Sequence, residues 1–183
     1  MKNLSLSKDI KNYFITGPPG VGKTTFILTL SEKLRNIELS GFYTKEIRSK
    51  GKREGFQIST FNGLHKTFAH VKIISKFTVS KYGINIQALD DIISYLTNRK
   101  KYHSLWLIDE IGKMESFSGI FRSFINDILV QSIPVVATIS LYAGGWIREI
   151  RNRSDVQLIN LEESNRIMYV DILAQELKTK INP

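Results

Sequence analysis

The eight residues Gly17-Pro18-Pro19-Gly20-Val21-Gly22-Lys23-Thr24 constrain this chain more than any other stretch. They fit the pattern G-x-x-x-x-G-K-[ST], and their flanks are the ones that pattern requires. Tyr13-Phe14-Ile15-Thr16 reads as a buried strand before it, and the apolar-periodic run from Thr25 to Leu34 reads as a helix after it. A strand, a glycine-rich turn and a helix start, in that order, gather main-chain N–H groups around an anion. Gly17, Gly20 and Gly22 put no Cβ in the way of that approach. Lys23 is then placed to reach β- and γ-phosphates, and the Thr24 hydroxyl to ligate Mg²⁺. Residues 17–25, Thr25 included, form the candidate phosphate-binding set, so the chain reads as a nucleotide-binding protein.

A second segment supplies what such a loop needs. Leu105-Trp106-Leu107-Ile108-Asp109-Glu110 reads as a strand covered on both faces that ends in two carboxylates. With Ile111 and Gly112 it makes the second candidate nucleotide-binding segment. Asp109 is expected in the Mg²⁺ shell beside Thr24. Glu110, one residue on, can orient a water in line with the γ-phosphate and accept its proton. Catalysis would then rest on Glu110 and Lys23, by positioning and charge neutralisation. The tandem favours hydrolysis over kinase chemistry, because a glutamate poised to activate water would waste the nucleotide in a kinase.

The rest of the chain organises around these two motifs. Phe42–Ile47 and Phe56–Phe61 read as a hairpin, and Thr67–Val71 as a third strand after the Asn62-Gly63 turn. Ile86–Leu96 has helical spacing, as does the run through Phe117, Phe121, Phe124, Ile128 and Leu129. Pro134–Ile139 and Val156–Ile159 read as strands, residues 146–150 as a short helix, and residues 165–177 as a closing helix. Strands alternating with helices imply an α/β, three-layer P-loop sandwich with a mostly parallel central sheet. The antiparallel meander is then an insertion, and residues 1–183 make a single domain.

Composition excludes more than it names. The 183 residues contain no cysteine, which removes disulfide frameworks and thiolate metal sites and fits a cytoplasmic location. Residues 1–9 lack an apolar core of signal-peptide length, and no run approaches the ~18 apolar residues of a membrane span. The net charge of +9 raises nucleic acid as a partner. Its two densest clusters, Arg48-Lys50-Lys52-Arg53 and Arg99-Lys100-Lys101, read instead as a solvated hairpin tip and the amino edge of the sheet. A monomer or weak homo-oligomer acting on a nucleoside triphosphate, with no membrane partner, is the expected state.

Several polar and aromatic residues carry secondary readings. Thr138, near the end of the next strand, suits a γ-phosphate sensor, although β propensity explains it equally well. Arg151 and Arg153 suit transition-state charge stabilisation in cis or from a neighbouring subunit, or simply an exposed helix end. Tyr82 and Phe42, aromatics near glycines, are candidates to flank a base. His65, His70 and His103 show no metal-ligand spacing.

Taken with Gly41–Arg48, Arg53-Glu54-Gly55-Phe56, Lys81–Asn85, Ile108–Glu115, Pro134–Ile139, Arg153–Val156 and Asn165-Arg166, in that order, the chain resembles a known family. It is similar to the small nucleoside-triphosphatases of thermophilic bacteria and archaea, a family that includes the human cancer-related nucleoside-triphosphatase. The resemblance implies slow, Mg²⁺-dependent hydrolysis of ATP, GTP and other nucleoside triphosphates on a RecA-like core. Ser140–Gly145 departs from that family's usual histidine-containing stretch, and Met168–Asp171 from its usual acidic continuation. Two other readings stay open: a nucleotide or nucleoside kinase, with Arg48 and Arg53 on a lid, and an ATP-dependent nucleic-acid-binding module.

Overall fold

The computed structural model describes residues 6–7, 10–99 and 103–181. Lys100 and Lys101 of the second basic cluster, and most of the N-terminal segment read above, lie outside the described residues. Among the described residues nine strands form one sheet: β1 (Asn12–Thr16), β2 (Leu39–Ser49), β3 (Lys52–Thr60), β4 (His65–His70), β5 (Thr78–Val79), β6 (Tyr82–Ile84), β7 (Leu105–Ile111), β8 (Val135–Ile139) and β9 (Val156–Asn160). Five helices accompany them: α1 (Lys23–Lys33), α2 (Ile86–Asn98), α3 (Gly119–Val130), α4 (Trp146–Arg151) and α5 (Arg166–Ile181). None is long and apolar enough to cross a membrane.

Period-two alternation distributes the strand side chains between two cores. Tyr13 and Ile15 of β1, Leu105 and Leu107 of β7 and Val136 of β8 pack under α1 and α5. Phe14, Trp106, Ile108, Val135 and Ala137 point the other way and pack with α2, α3 and α4. Helices therefore cover both faces of β1, β7 and β8, and these strands are buried along nearly their whole length.

The sheet is mixed rather than mostly parallel, which corrects the sequence reading. Its order is β5-β6-β4-β3-β2-β7-β8-β1-β9. The β2/β7, β7/β8, β8/β1 and β1/β9 pairs are parallel. The β2/β3, β3/β4, β4/β6 and β5/β6 pairs are antiparallel. Nor is the meander a separate insertion, because β2 belongs to both halves. Leu39–Phe42 pairs with β7, the last partners being Phe42 and Ile108, and the strand then continues beyond the edge paired with β3 alone. This overhang positions one wall of the site.

Local signals explain where the helices begin. Asn85 caps α2 by accepting from the Ala88 N–H at 3.1 Å, and Ser118 caps α3 by accepting from the Phe121 N–H at 2.9 Å. The cap at Ser118 leaves Phe117 in a separate 3-10 turn, Glu115–Phe117, and not in α3.

Candidate functional site

At the carboxyl edge of the parallel half, the loop between β1 and α1 closes a cleft of about 330 Å³. Gly20 and Gly22 adopt φ of +83° and +93°, and Gly22 is the N-cap of α1. The first turn of α1 carries no acidic residue, so the positive end of its dipole is not offset there. Lys23 curls back over the loop, its Nζ donating to the Gly17 carbonyl at 3.2 Å. Gly17, Pro19, Gly20, Gly22, Lys23 and Thr24 all line the cleft. Pro18 and Thr25 are exposed, while Val21 is buried.

The two carboxylates of β7 lie beside this loop and differ sharply in environment. Asp109 is 1% exposed. Its Oδ2 accepts from Thr24 Oγ1 at 2.7 Å, from Thr44 Oγ1 at 3.3 Å and from the Thr44 N–H at 3.5 Å. Its Oδ1 accepts from Thr138 Oγ1 at 2.6 Å. Charge-assisted hydrogen bonds of this kind fix a carboxylate in one orientation. The peptide bond joining Asp109 to Glu110 is cis.

Glu110 lines the cleft itself, opposite the glycine loop. Burial pushes its carboxyl up to about 6; the Lys23 ammonium opposes that rise and the Asp109 charge adds to it. Glu115, in the 3-10 turn, stands behind it. Burial and then the Glu110 and Asp109 charges push the Glu115 carboxyl up to about 8, against the main-chain N–H groups of residues 115 and 112. Gly112 makes this approach possible: a Cβ there would lie 2.8 Å from Glu115 Oε2 and 3.7 Å from the Glu110 carboxyl carbon.

The remaining walls come from segments with no local phosphate-binding signature. Glu46 projects from the overhanging part of β2. Ser140, Leu141 and Tyr142 come from the loop after β8, which Arg151 holds by donating to the Ser140 carbonyl at 3.2 Å and to the Leu141 carbonyl. Arg166, in the first turn of α5, donates to the Val21 carbonyl at 3.2 Å from behind the glycine loop. Thr44, Glu46, Glu115 and Arg166 belong to neither phosphate-site motif. They lie in Gly41–Arg48, Ile108–Glu115 and Asn165-Arg166, segments on which the family resemblance rests.

The structure places the remaining candidates of the sequence as follows. Leu105–Ile108 and Ile111 are core residues, none more than 4% exposed, and they carry the two carboxylates. Thr138 is fully buried, and its hydroxyl is spent on Asp109 Oδ1. Phe42 is fully buried near Phe121, and Tyr82 packs edge-on to Phe56; neither lines the cleft. Arg153 forks onto Asp155 at 2.7 and 2.8 Å, and Asp155 also accepts from Asn12 at the first position of β1. That places Arg153 at the amino edge of the sheet, remote from the loop. Arg151 is engaged in loop support.

Residues 12–176 match a family model described as NTPase. The chain is 41% identical over 165 residues to the protein named nucleoside-triphosphatase THEP1 of Thermotoga sp. strain RQ2, covering 90% of this chain and 94% of that protein. The crystal structure of THEP1 from Aquifex aeolicus superposes with a TM-score of 0.76 at 34% identity, covering 94% of this chain and 99% of that one. The solution structure of a human cancer-related nucleoside triphosphatase gives a TM-score of 0.79 at 31% identity, over 92% and 98% of the two chains. The chain belongs to this NTPase family.

Proposed function

We propose that the cleft hydrolyses nucleoside triphosphates, ATP and GTP among them, to the diphosphate and phosphate with Mg²⁺. The observation that carries this reading is the 2.7 Å contact between Thr24 Oγ1 and Asp109 Oδ2 beside the glycine loop, with Glu110 lining the same cleft. The names of the relatives, nucleoside-triphosphatases, support it. We assign the parallel half of the sheet to a RecA-like core.

The donor set fits the metal. Thr24 and Asp109 offer hard oxygen ligands, and among the described residues no group of three His, Cys, Asp or Glu side chains is set to hold an ion by itself. Such a site suits Mg²⁺, which is typically bound by one or two carboxylates together with substrate phosphates. Bound there, the ion would neutralise charge on the β- and γ-phosphate oxygens.

The chain's own residues supply the remaining chemistry. Main-chain N–H groups of the loop and the start of α1 grip the phosphate tail. Lys23 exchanges its present acceptor, the Gly17 carbonyl, for a phosphate oxygen. Thr44 and Thr138 hold Asp109 rigid. Glu110, whose raised affinity for a proton suits a general base, orients a water and takes its proton as the oxygen attacks phosphorus.

Glu110→Gln tests the assignment. Turnover is expected to fall by about 10²–10⁴-fold, with affinity for the triphosphate retained. Hydrolysis at the parent rate removes Glu110 as the base. Transfer of labelled γ-phosphate to a nucleoside acceptor in place of release as phosphate identifies a kinase instead.

A further inference from the structure

The cleft has an unexpected charge balance for a site that receives a polyanion. Among the described residues, its lining holds one cationic side chain, Lys23, against two carboxylates, Glu46 and Glu110. Glu110 has a use as the base. Glu46 has none in the hydrolytic scheme, and an unpaired anion there would repel the substrate.

Glu46 is not unpaired. Its Oε2 accepts from Arg48 Nε at 2.7 Å and pairs with Arg48 Nη2 at 2.5 Å, while its Oε1 accepts from Arg53 Nη1 at 2.7 Å. These two guanidinium groups hold the Glu46 carboxyl below its ordinary range, Arg53 foremost. The trio carries a net positive charge on the wall of the cleft. Its place follows from the register: β2 runs on past its last contact with β7, carrying Thr44 to Asp109, then Glu46 to the cleft, then Arg48.

Among the described residues, four arginines touch residues of the cleft or of the glycine loop, and they are bonded in two ways. Arg151 and Arg166 donate to main-chain carbonyls of the loops they support. Arg48 and Arg53 are instead bonded to a carboxylate, the group whose planar two-oxygen edge a phosphate can replace. The two also differ from each other. Arg53 is fixed on its other side, donating from Nε to Tyr82 Oη at 3.1 Å and lying over the Phe56 ring at 5.1 Å. Among the described residues Arg48 has the Gly51 carbonyl alone besides Glu46, and its side chain is 56% exposed.

We propose that Arg48 transfers from the Glu46 carboxylate to the terminal phosphate of a bound nucleoside triphosphate and neutralises charge there during hydrolysis. Glu46 and Arg53 act as positioning residues that hold it in wait. The inference rests on the hydrolytic reading of the cleft and gives the β2 overhang a chemical task. An arginine supplied in cis is a recurring device for phosphoryl transfer to water.

The test compares Arg48→Ala, Arg48→Lys and Lys50→Ala with the parent, in the full chain with Mg²⁺. Two quantities are read: kcat for ATP, and affinity for ADP with and without aluminium fluoride as a transition-state mimic. Arg48→Ala is expected to lower kcat by about 10³-fold or more and to lose the extra affinity conferred by aluminium fluoride. ADP affinity alone should be unchanged. Arg48→Lys restores part of kcat, because the charge returns without the bidentate edge. Lys50→Ala, two residues on in the turn and with equal charge, behaves as the parent. Parent-like kcat in Arg48→Ala, or an equal loss in Lys50→Ala, overturns the assignment while leaving the hydrolytic reading intact. A parent protein that releases no phosphate overturns the hydrolytic reading itself.

Discussion

The guanidinium of Arg166 occupies the space that a side chain on Gly22 would need, since a Cβ built there would lie 2.3 Å from Nη1. The same Nη1 donates to the Val21 carbonyl, so α5 braces the glycine loop from behind. Gly22 also sits at φ +93°, where an L side chain is strained. Arg166→Ala is expected to raise the dissociation constant for ATP by roughly tenfold, the equivalent of one hydrogen bond. Gly22→Ala should abolish binding, and adding Arg166→Ala should not rescue it, because the backbone strain persists. Titration calorimetry of the three variants reads both effects; full rescue in the double variant would show that crowding alone excludes the side chain.

The acid limb of the activity profile should report Glu110. Its carboxyl takes up a proton at about 6, above the ordinary 4.5, and once protonated cannot accept one from water. The rate is therefore expected to be full well above that value and to fall as pH drops through it. Comparing hydrolysis with binding of a non-hydrolysable triphosphate over the same range separates the chemical step from association. A limb present equally in binding would assign it to the ligand.

Glu115 should make the fold less stable as pH rises. Its carboxyl titrates at about 8 in the native protein against an ordinary 4.5, so the native state holds a proton that the unfolded chain has lost across that interval. Its contribution is complete below the lower value and is lost on passing through the upper one. In Glu115→Gln this slope disappears. Denaturant unfolding of parent and variant across the interval checks it, and parallel pH dependences would place the titration elsewhere.

Thr138→Val keeps the shape of a fully buried residue and removes its 2.6 Å donation to Asp109. The expected cost is about 1.5–3 kcal/mol of stability, the range for hydrogen bonds to charged groups. A looser Asp109 should also raise the Mg²⁺ concentration needed for half-maximal turnover. An unchanged melting temperature together with an unchanged Mg²⁺ requirement would remove Thr138 from the support of the site.

What could be read in advance follows from how local each signal is. Gly17 to Thr24 is a contiguous loop whose geometry needs no distant partner, and β7 announces itself by an unbroken apolar run before Asp109. Thr44, Glu46 and Arg166 have no such signature, because β2 overshooting the sheet edge and the entry of α5 bring them to the cleft. Strands β5 and β6, two and three residues long, are too short to show alternation. The hairpin is legible from its two strand-like runs, yet the sharing of β2 between parallel and antiparallel neighbours is not, since pairing direction is a property of the partner strand. The bond of Arg153 to Asp155 ties it to the far edge, which agrees with the plainer of its two readings, a residue past a helix end.

That shared strand makes the outer sheet indispensable in a way its position would not suggest. Shortening β3 would leave residues 43–49 with no ladder to hold them straight, and Thr44 would drift from the acid it steadies. The antiparallel half is thus scaffolding for the reaction centre, and a minimal catalytic unit cut down to the parallel strands would lack one of its own walls.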